Sequence, residues 1–272
     1  MTNEDGALSG TVEITNPDGT FPGLLVCDHA SCAVPGAFKD LGLSQEELND
    51  HIGVDVGIAE VVRFVSRKLD MPAVLAPYSR LFIDCNRWIY DPRLILVESD
   101  GVVVPGNADL SPADREHRIE TCFWPYHRAV TDAVRSLTQR HRHPFVVFMH
   151  SCTRQLVGDE YRPWDIGTIW NESDALSSAM IESLGRFGDL TIGDNQPYSG
   201  REGAFSLDFH TWGTGIPACG IEITNDALRA PRDIARWNER MADVIGRLGQ
   251  TRDDIWRRHH QLTAARSPAI AS

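Results

Sequence analysis

Two stretches of the chain are apolar without interruption over the length of a strand: LLV within LLVCD (24–28), and FVVFM at 145–149. Strands covered on both faces read this way, because no solvent side remains for polar residues. Shorter β-type runs lie at 73–75, 81–85, 189–193 and 220–224 (GIEIT), and helical stretches separate them. Ser44 with Glu47 three residues later is a capping box that opens a helical pattern to about Leu69. Ser111 followed by Pro112 pairs an N-cap with a first-turn proline. It opens a helix to about residue 140 that turns Trp124, Val130 and Val134 inward. Helices near 174–186 and from Pro231 to about His260 complete the pattern. This alternation predicts an α/β fold: a mixed, mostly parallel twisted sheet with helices on both faces. No linker-like tract divides the chain, which predicts one domain over 10–263 with flexible tails at 1–9 and 264–272.

Charge narrows the partners. Against 26 Lys+Arg stand 38 Asp+Glu, a formal −12, which argues against a nucleic-acid backbone as ligand. A small anionic substrate is still allowed, since a few arginines hold a carboxylate whatever the net charge. The longest apolar runs fall far short of a membrane span. MTNEDGALSG lacks the basic-then-apolar order of a secretory signal, and the six cysteines form no CxxC pair. Both features predict reduced thiols and a cytoplasmic location. The oligomeric state is not legible.

In open α/β sheets ligands bind beyond the carboxyl ends of the strands. Here the runs end in Asp28-His29, in His150-Ser151 and in Asn86-Arg87, and GIEIT carries Glu222 between two isoleucines. Either histidine alone reads as a hydrogen-bonded strand end; two at equivalent positions can supply two nitrogens to Zn²⁺. Asp28, Cys32 and Asp55 (in HIGVDVG, read as early in a helix) are candidates for a third ligand. Strand alternation in SRLFIDCNR puts Arg80, Phe82 and Asp84 on one face. Arg87 and Asn86 suit a substrate carboxylate, and Arg80 a developing oxyanion; salt bridges to Asp84 or Asp91 are the competing reading. Glu222, at a core-like position, is costly unless paired or beside a cation, where it can serve as a general base. Tyr126-His127 reads as packing, and His259-His260 as a basic helix end.

Six blocks in order, LLVCDHASCAVP (24–35), HIGVDVG (51–57), SRLFIDCNR (79–87), FMHSCTR (148–154), NQPYSG (195–200) and GIPACGIEITND (215–226), resemble the N-formylglutamate amidohydrolase family. That family is similar in layout to the zinc carboxypeptidase and aspartoacylase group. The resemblance implies a metal-dependent, zinc-using amidohydrolase with His29 and His150 as ligands and Glu222 as the catalytic carboxylate. It implies Asn86 and Arg87 for the α-carboxylate and Arg80 on the carbonyl oxygen or a second carboxylate. Tyr198, Ser199 and Arg201 are implied as substrate-pocket residues, with His210 beside them. In the wider group a glutamate ligand follows the first histidine by three residues. Here that position is Cys32, which makes Asp55 the substitute ligand, with Asp28 or Cys32 behind it. The expected substrate is a small N-acyl amino acid such as N-formylglutamate. Competing readings are another N-acyl-amino-acid deacylase or carboxypeptidase-like hydrolase, a thiol hydrolase using Cys32 or Cys152, and a non-catalytic binder of acidic metabolites.

Overall fold

A computed structural model describes residues 11–266. In chain order its strands are β1 (Glu13–Thr15), β2 (Gly23–Cys27), β3 (Ala73–Leu75), β4 (Glu98–Ser99), β5 (Val102–Val103), β6 (Phe145–Cys152), β7 (Ile166–Ile169), β8 (Ile192–Asp194) and β9 (Ala218–Thr224). The α-helices are α1 (Gln45–Leu48), α2 (Ile58–Leu69), α3 (Pro112–Arg118), α4 (Trp124–Arg140), α5 (Ala175–Gly185), α6 (Phe205–Thr211) and α7 (Pro231–Arg266). Seven strands form one sheet in the order β1-β3-β2-β6-β9-β7-β8, while β4 and β5 make a separate hairpin. Neighbours β3, β2, β6 and β9 run parallel, as do β7 and β8; β1 and β7 join antiparallel to β3 and β9. This is the mixed, mostly parallel sheet expected.

Alternation along the strands divides the core in two. Leu25, Cys27, Val147, Met149, Ile221 and Ile223 face a layer closed by α2, α5 and α7. Leu24, Val26, Val74, Val146 and Phe148 face the other way, onto α4 and the segment 78–85. The expected tails lie mostly outside the described residues, although α7 continues through 264–266.

Some expectations need correction. The pattern from Ser44 is two helices, not one: the capping box forms, but α1 ends at Leu48 and α2 begins only at Ile58. Gly57 makes the break, with φ +75° and its α-carbon so close to Leu228 that a Cβ would stand 2.4 Å from the Leu228 carbonyl oxygen. Asp55 therefore sits in the turn ahead of α2, where its N–H donates to the His29 carbonyl (3.1 Å).

Residues 81–85 are not a strand. The amides of Phe82 and Ile83 donate to the Ser79 carbonyl (2.9 and 3.3 Å), and the Ser79 hydroxyl donates to the Gly53 carbonyl (2.7 Å). Leu81, Phe82 and Ile83 are apolar because all three are buried, not because they pair in a ladder. The turn sets Arg80 and Asp84 in contact at 2.9 Å, which replaces the strand-face arrangement expected for them. Between α3 and α4, residues Ile119–Phe123 widen into a π-turn, with the Trp124 amide donating to Ile119. Pro125, which lacks an N–H, follows directly. Val130 and Val134 point inward as expected; Trp124 is only partly covered.

Candidate active site

Parallel pairing places the carboxyl ends of β2, β6 and β9 on one edge of the sheet. His150 and Glu222 are direct register partners on β6 and β9, and both point to the α4 side of the sheet. His29 follows the end of β2, and the His29–Asp55 backbone bond ties the 51–57 turn to the same edge. Four segments far apart in sequence therefore meet over the central strands.

One oxygen is shared there. Asp55 Oδ2 lies 2.9 Å from His150 Nδ1 and 3.4 Å from His29 Nδ1, and it also accepts from the Ser151 amide (3.3 Å). Both imidazoles are held from behind by a second carboxylate. His29 Nε2 lies 2.7 Å from Asp84 Oδ1, and His150 Nε2 lies 3.2 Å from Asp28 Oδ2. Each ring thus presents Nδ1 to the common point while its other nitrogen faces an acceptor, as histidine metal ligands usually do. His29, Asp55 and His150 each offer one atom able to ligate a metal; these atoms all lie within 4.8 Å of one another, and all three residues are buried.

The electrostatics fit a divalent cation. Asp28, Asp55 and Asp84 are buried carboxylates, and the guanidinium in contact with two of them is Arg80 (2.9 Å to Asp84, 3.5 Å to Asp55). An excess of two negative charges in an enclosed space costs several kcal/mol per ion unless a cation offsets it. Without one, the imidazoles take up the role. Burial lowers the His150 pKa, but the contacts with the Asp28 and Asp55 carboxylates win and raise it well above the ordinary value. Burial likewise pushes Asp28 up, yet the His150 contact outweighs it and holds that carboxyl at about 2.

Glu222 behaves oppositely. Its Oε2 is sealed from solvent without a hydrogen-bond partner, and burial pushes the carboxyl up to about 7. It lines a cavity of about 430 Å³ with the histidines, Asp55 and Arg80. Asn86, Arg87, Tyr198 and Ser199 line the same cavity. Arg201 does not; its guanidinium stacks over the Trp170 ring at 4.4 Å. The Ser199 hydroxyl accepts from the Arg201 amide and so caps the turn at 200–202. His210 is buried against His127 (2.9 Å), behind the cavity wall.

Several residues do more in the structure than their sequence context implies. Asp84, by sequence no more than a salt-bridge partner, orients His29 and Arg80 together. Asp28, a fallback ligand, instead backs His150, and is itself held by Tyr126 Oη (2.8 Å) and Ser206 Oγ (2.7 Å). Tyr126 is therefore more than packing. Arg162 donates to Tyr198 Oη (2.7 Å) and stacks on its ring, steadying it at the cavity rim. The available signal for Asp84 was a carboxylate inside an otherwise apolar run, the same signal that marked Glu222. His259 is buried within α7, not at a helix end.

The thiol reading loses ground. Cys32 packs against the second core, outside the cavity lining. Cys152 does line the cavity, but burial and the nearby Glu222 raise its pKa and keep it a thiol.

For a metal held by His29, Asp55 and His150, Asp84→Asn should weaken affinity about 10–100-fold, the usual cost of losing a carboxylate behind a ligating histidine. Competition against a chromogenic chelator measures this. An unchanged affinity would show that His29 needs no such backing.

The chain matches the family model described as N-formylglutamate amidohydrolase over residues 21–229. Among solved structures it is similar to a gene product of Agrobacterium tumefaciens, at 29% identity and TM-score 0.82, covering 90% of this chain and 97% of that one. It is also similar in fold to the N-formylglutamate amidohydrolase from Ralstonia eutropha, at 20% identity and TM-score 0.74, covering 90% and 99%. No curated protein matches. Every residue lining the cavity falls inside the matched span, and the chain belongs to the N-formylglutamate amidohydrolase family and is a hydrolase.

Proposed function

We propose that the protein is a metal-dependent amidohydrolase that cleaves the N-formyl, or another short N-acyl, amide of an amino acid such as glutamate. The observation that carries this reading is the shared point between His29 Nδ1, His150 Nδ1 and Asp55 Oδ2, with Glu222 in the same cavity. Those three residues would hold the ion, with Zn²⁺ the natural choice for a buried set of two imidazoles and one carboxylate. A metal bound there supplies Lewis acidity, polarising the scissile carbonyl and acidifying water.

The remaining chemistry belongs to side chains. Glu222 accepts the proton of the attacking water and returns it to the departing amine nitrogen, so the C–N bond breaks with a neutral leaving group. Its raised pKa suits both halves of that transfer. Arg80 lines the cavity beside the ligands, and its remaining N–H groups offset the charge that develops on the carbonyl oxygen. Asn86 and Arg87 take the α-carboxylate of the substrate. Tyr198, steadied by Arg162, and Ser199 close the pocket wall. Products are formate, or another short acid, and the free amino acid.

The test is release of formate from N-formyl-L-glutamate before chelation, after it, and after Zn²⁺ is restored. Loss of at least about 10³-fold on chelation and recovery with metal is expected, since ion and carboxylate act as one unit. Full activity in metal-free protein would refute the mechanism. Turnover confined to N-acetyl or N-succinyl substrates would move the assignment to another deacylase. Binding without turnover in metal-loaded protein would leave only a metabolite binder.

A further inference from the structure

Beside the catalytic cavity runs a second, more open depression of about 590 Å³ whose chemistry differs. The two share a rim formed by Asn86, Arg87, Arg93, Glu202, Gly203 and Ala204. Beyond the rim the lining turns aromatic. Trp88, Phe209 and Trp212 are 43%, 45% and 55% exposed, an unusual density of large apolar surface on an acidic protein. The rings are not loose. Trp88 packs on Phe205 (5.3 Å between centroids), and Phe205 stacks on Phe209 (5.2 Å), so the aromatic wall is preorganised.

Resting on the amidohydrolase reading above, we propose that this groove receives the side chain of the amino-acid part of the substrate when that side chain is aromatic. N-formyl aromatic amino acids then form a second substrate class for the same catalytic centre. Continuity sets the occupant. A carboxylate held at Asn86 and Arg87 lies on the shared rim, so the α-carbon next to it stands between cavity and groove. The amide turns inward to the metal ligands and the side chain can pass outward, where Trp88 directly follows Arg87. The lining suits an uncharged ring. Asp91, Glu202 and Asp208 line the groove; Asp91 is already neutralised by Arg93 (2.8 Å), while Asp208 faces the uncharged Asn171 amide (3.1 Å). Arg87 and Arg93 on the same lining nearly balance these carboxylates, and a neutral ring meets aromatic faces.

Two measurements test this. The first is the dissociation constant of N-formyl-L-phenylalanine and N-formyl-L-alanine for metal-loaded Glu222→Gln protein, by calorimetry, alone and with Trp88→Ala or Trp212→Ala added. Each tryptophan removal is expected to weaken the aromatic ligand about tenfold and the alanine ligand less than twofold. Equal losses for both ligands, or no binding of the aromatic one, would overturn the assignment. The second is turnover by the otherwise wild-type holoenzyme, where the same substitutions should raise KM for N-formyl-L-phenylalanine and leave kcat and N-formyl-L-alanine kinetics in place. If the selective binding pattern holds but no amide is hydrolysed, the groove assignment stands and the amidohydrolase mechanism falls.

Discussion

Glu222→Gln is expected to lower kcat by about 10²–10⁴-fold with little change in KM, measured by formate release in protein shown by elemental analysis to keep its metal. The substitution preserves shape and removes only the ability to carry a proton. The side chain faces the cavity from the middle of β9, directly opposite His150, with Oε2 sealed and unpartnered. Such a carboxylate is a liability for folding. Burial raises its pKa to about 7, above the ordinary value, so its contribution to stability is present at low pH, where it is protonated, and is lost as the pH rises toward 7. A neutral amide escapes that penalty. The metal-free variant should therefore melt at or above the temperature of metal-free wild type at pH 8, even while activity collapses. A variant that kept its activity would remove Glu222 from the mechanism; one that lost activity together with its metal would make it a support for the ligands instead.

Asp55→Asn should have the largest effect on the metal and on the fold together. Asp55 Oδ2 serves both imidazoles and the Ser151 amide, and Oδ1 faces Arg80. Removing the charge takes away one of the three atoms proposed to hold the ion and the counter-charge shared by His29 and His150. Breaking a buried charge pair by neutralising one partner costs about 3–5 kcal/mol, and Asp55 has several partners. The expected result is metal content falling from one equivalent toward none, with activity following it. The melting temperature of the metal-free protein should fall as well, by roughly 6–20 °C for a chain of this size. Retention of a full equivalent of metal in folded Asp55→Asn protein would leave Asp28 or Cys32 to complete the ligand set. The geometry argues against both, since Asp28 backs His150 Nε2 and Cys32 lies outside the cavity lining.

Local rules located the parts of this site and misjudged some of their surroundings. Uninterrupted apolar runs identify β2 and β6 because two-sided burial admits no polar position, and the histidines that end them follow at once. The same rule fails at 81–85, where burial of Leu81, Phe82 and Ile83 comes from a turn that looks like a strand only in composition. The short edge strand β1, the strand β7 and the helix α6 carry too few residues for any period to show. The family resemblance implies Arg201 as a pocket residue beside Tyr198 and Ser199. The turn that Ser199 caps sends the guanidinium to Trp170 instead.

The sequence by itself determined the class of fold, the strand ends on which chemistry could sit, and the residue types, histidine, carboxylate and guanidinium, that such chemistry needs. These follow from periodicity and from the cost of burying polar groups, which act on each segment separately. Only the tertiary structure decided that Asp55, and neither Asp28 nor Cys32, meets the two histidines, and that Asp84 and Asp28 stand behind their rings. Those choices depend on strand order and on the left-handed turn at Gly57, which bring together groups as far apart as residues 55 and 150. No spacing in the chain encodes a contact that exists only once β2 and β6 lie side by side.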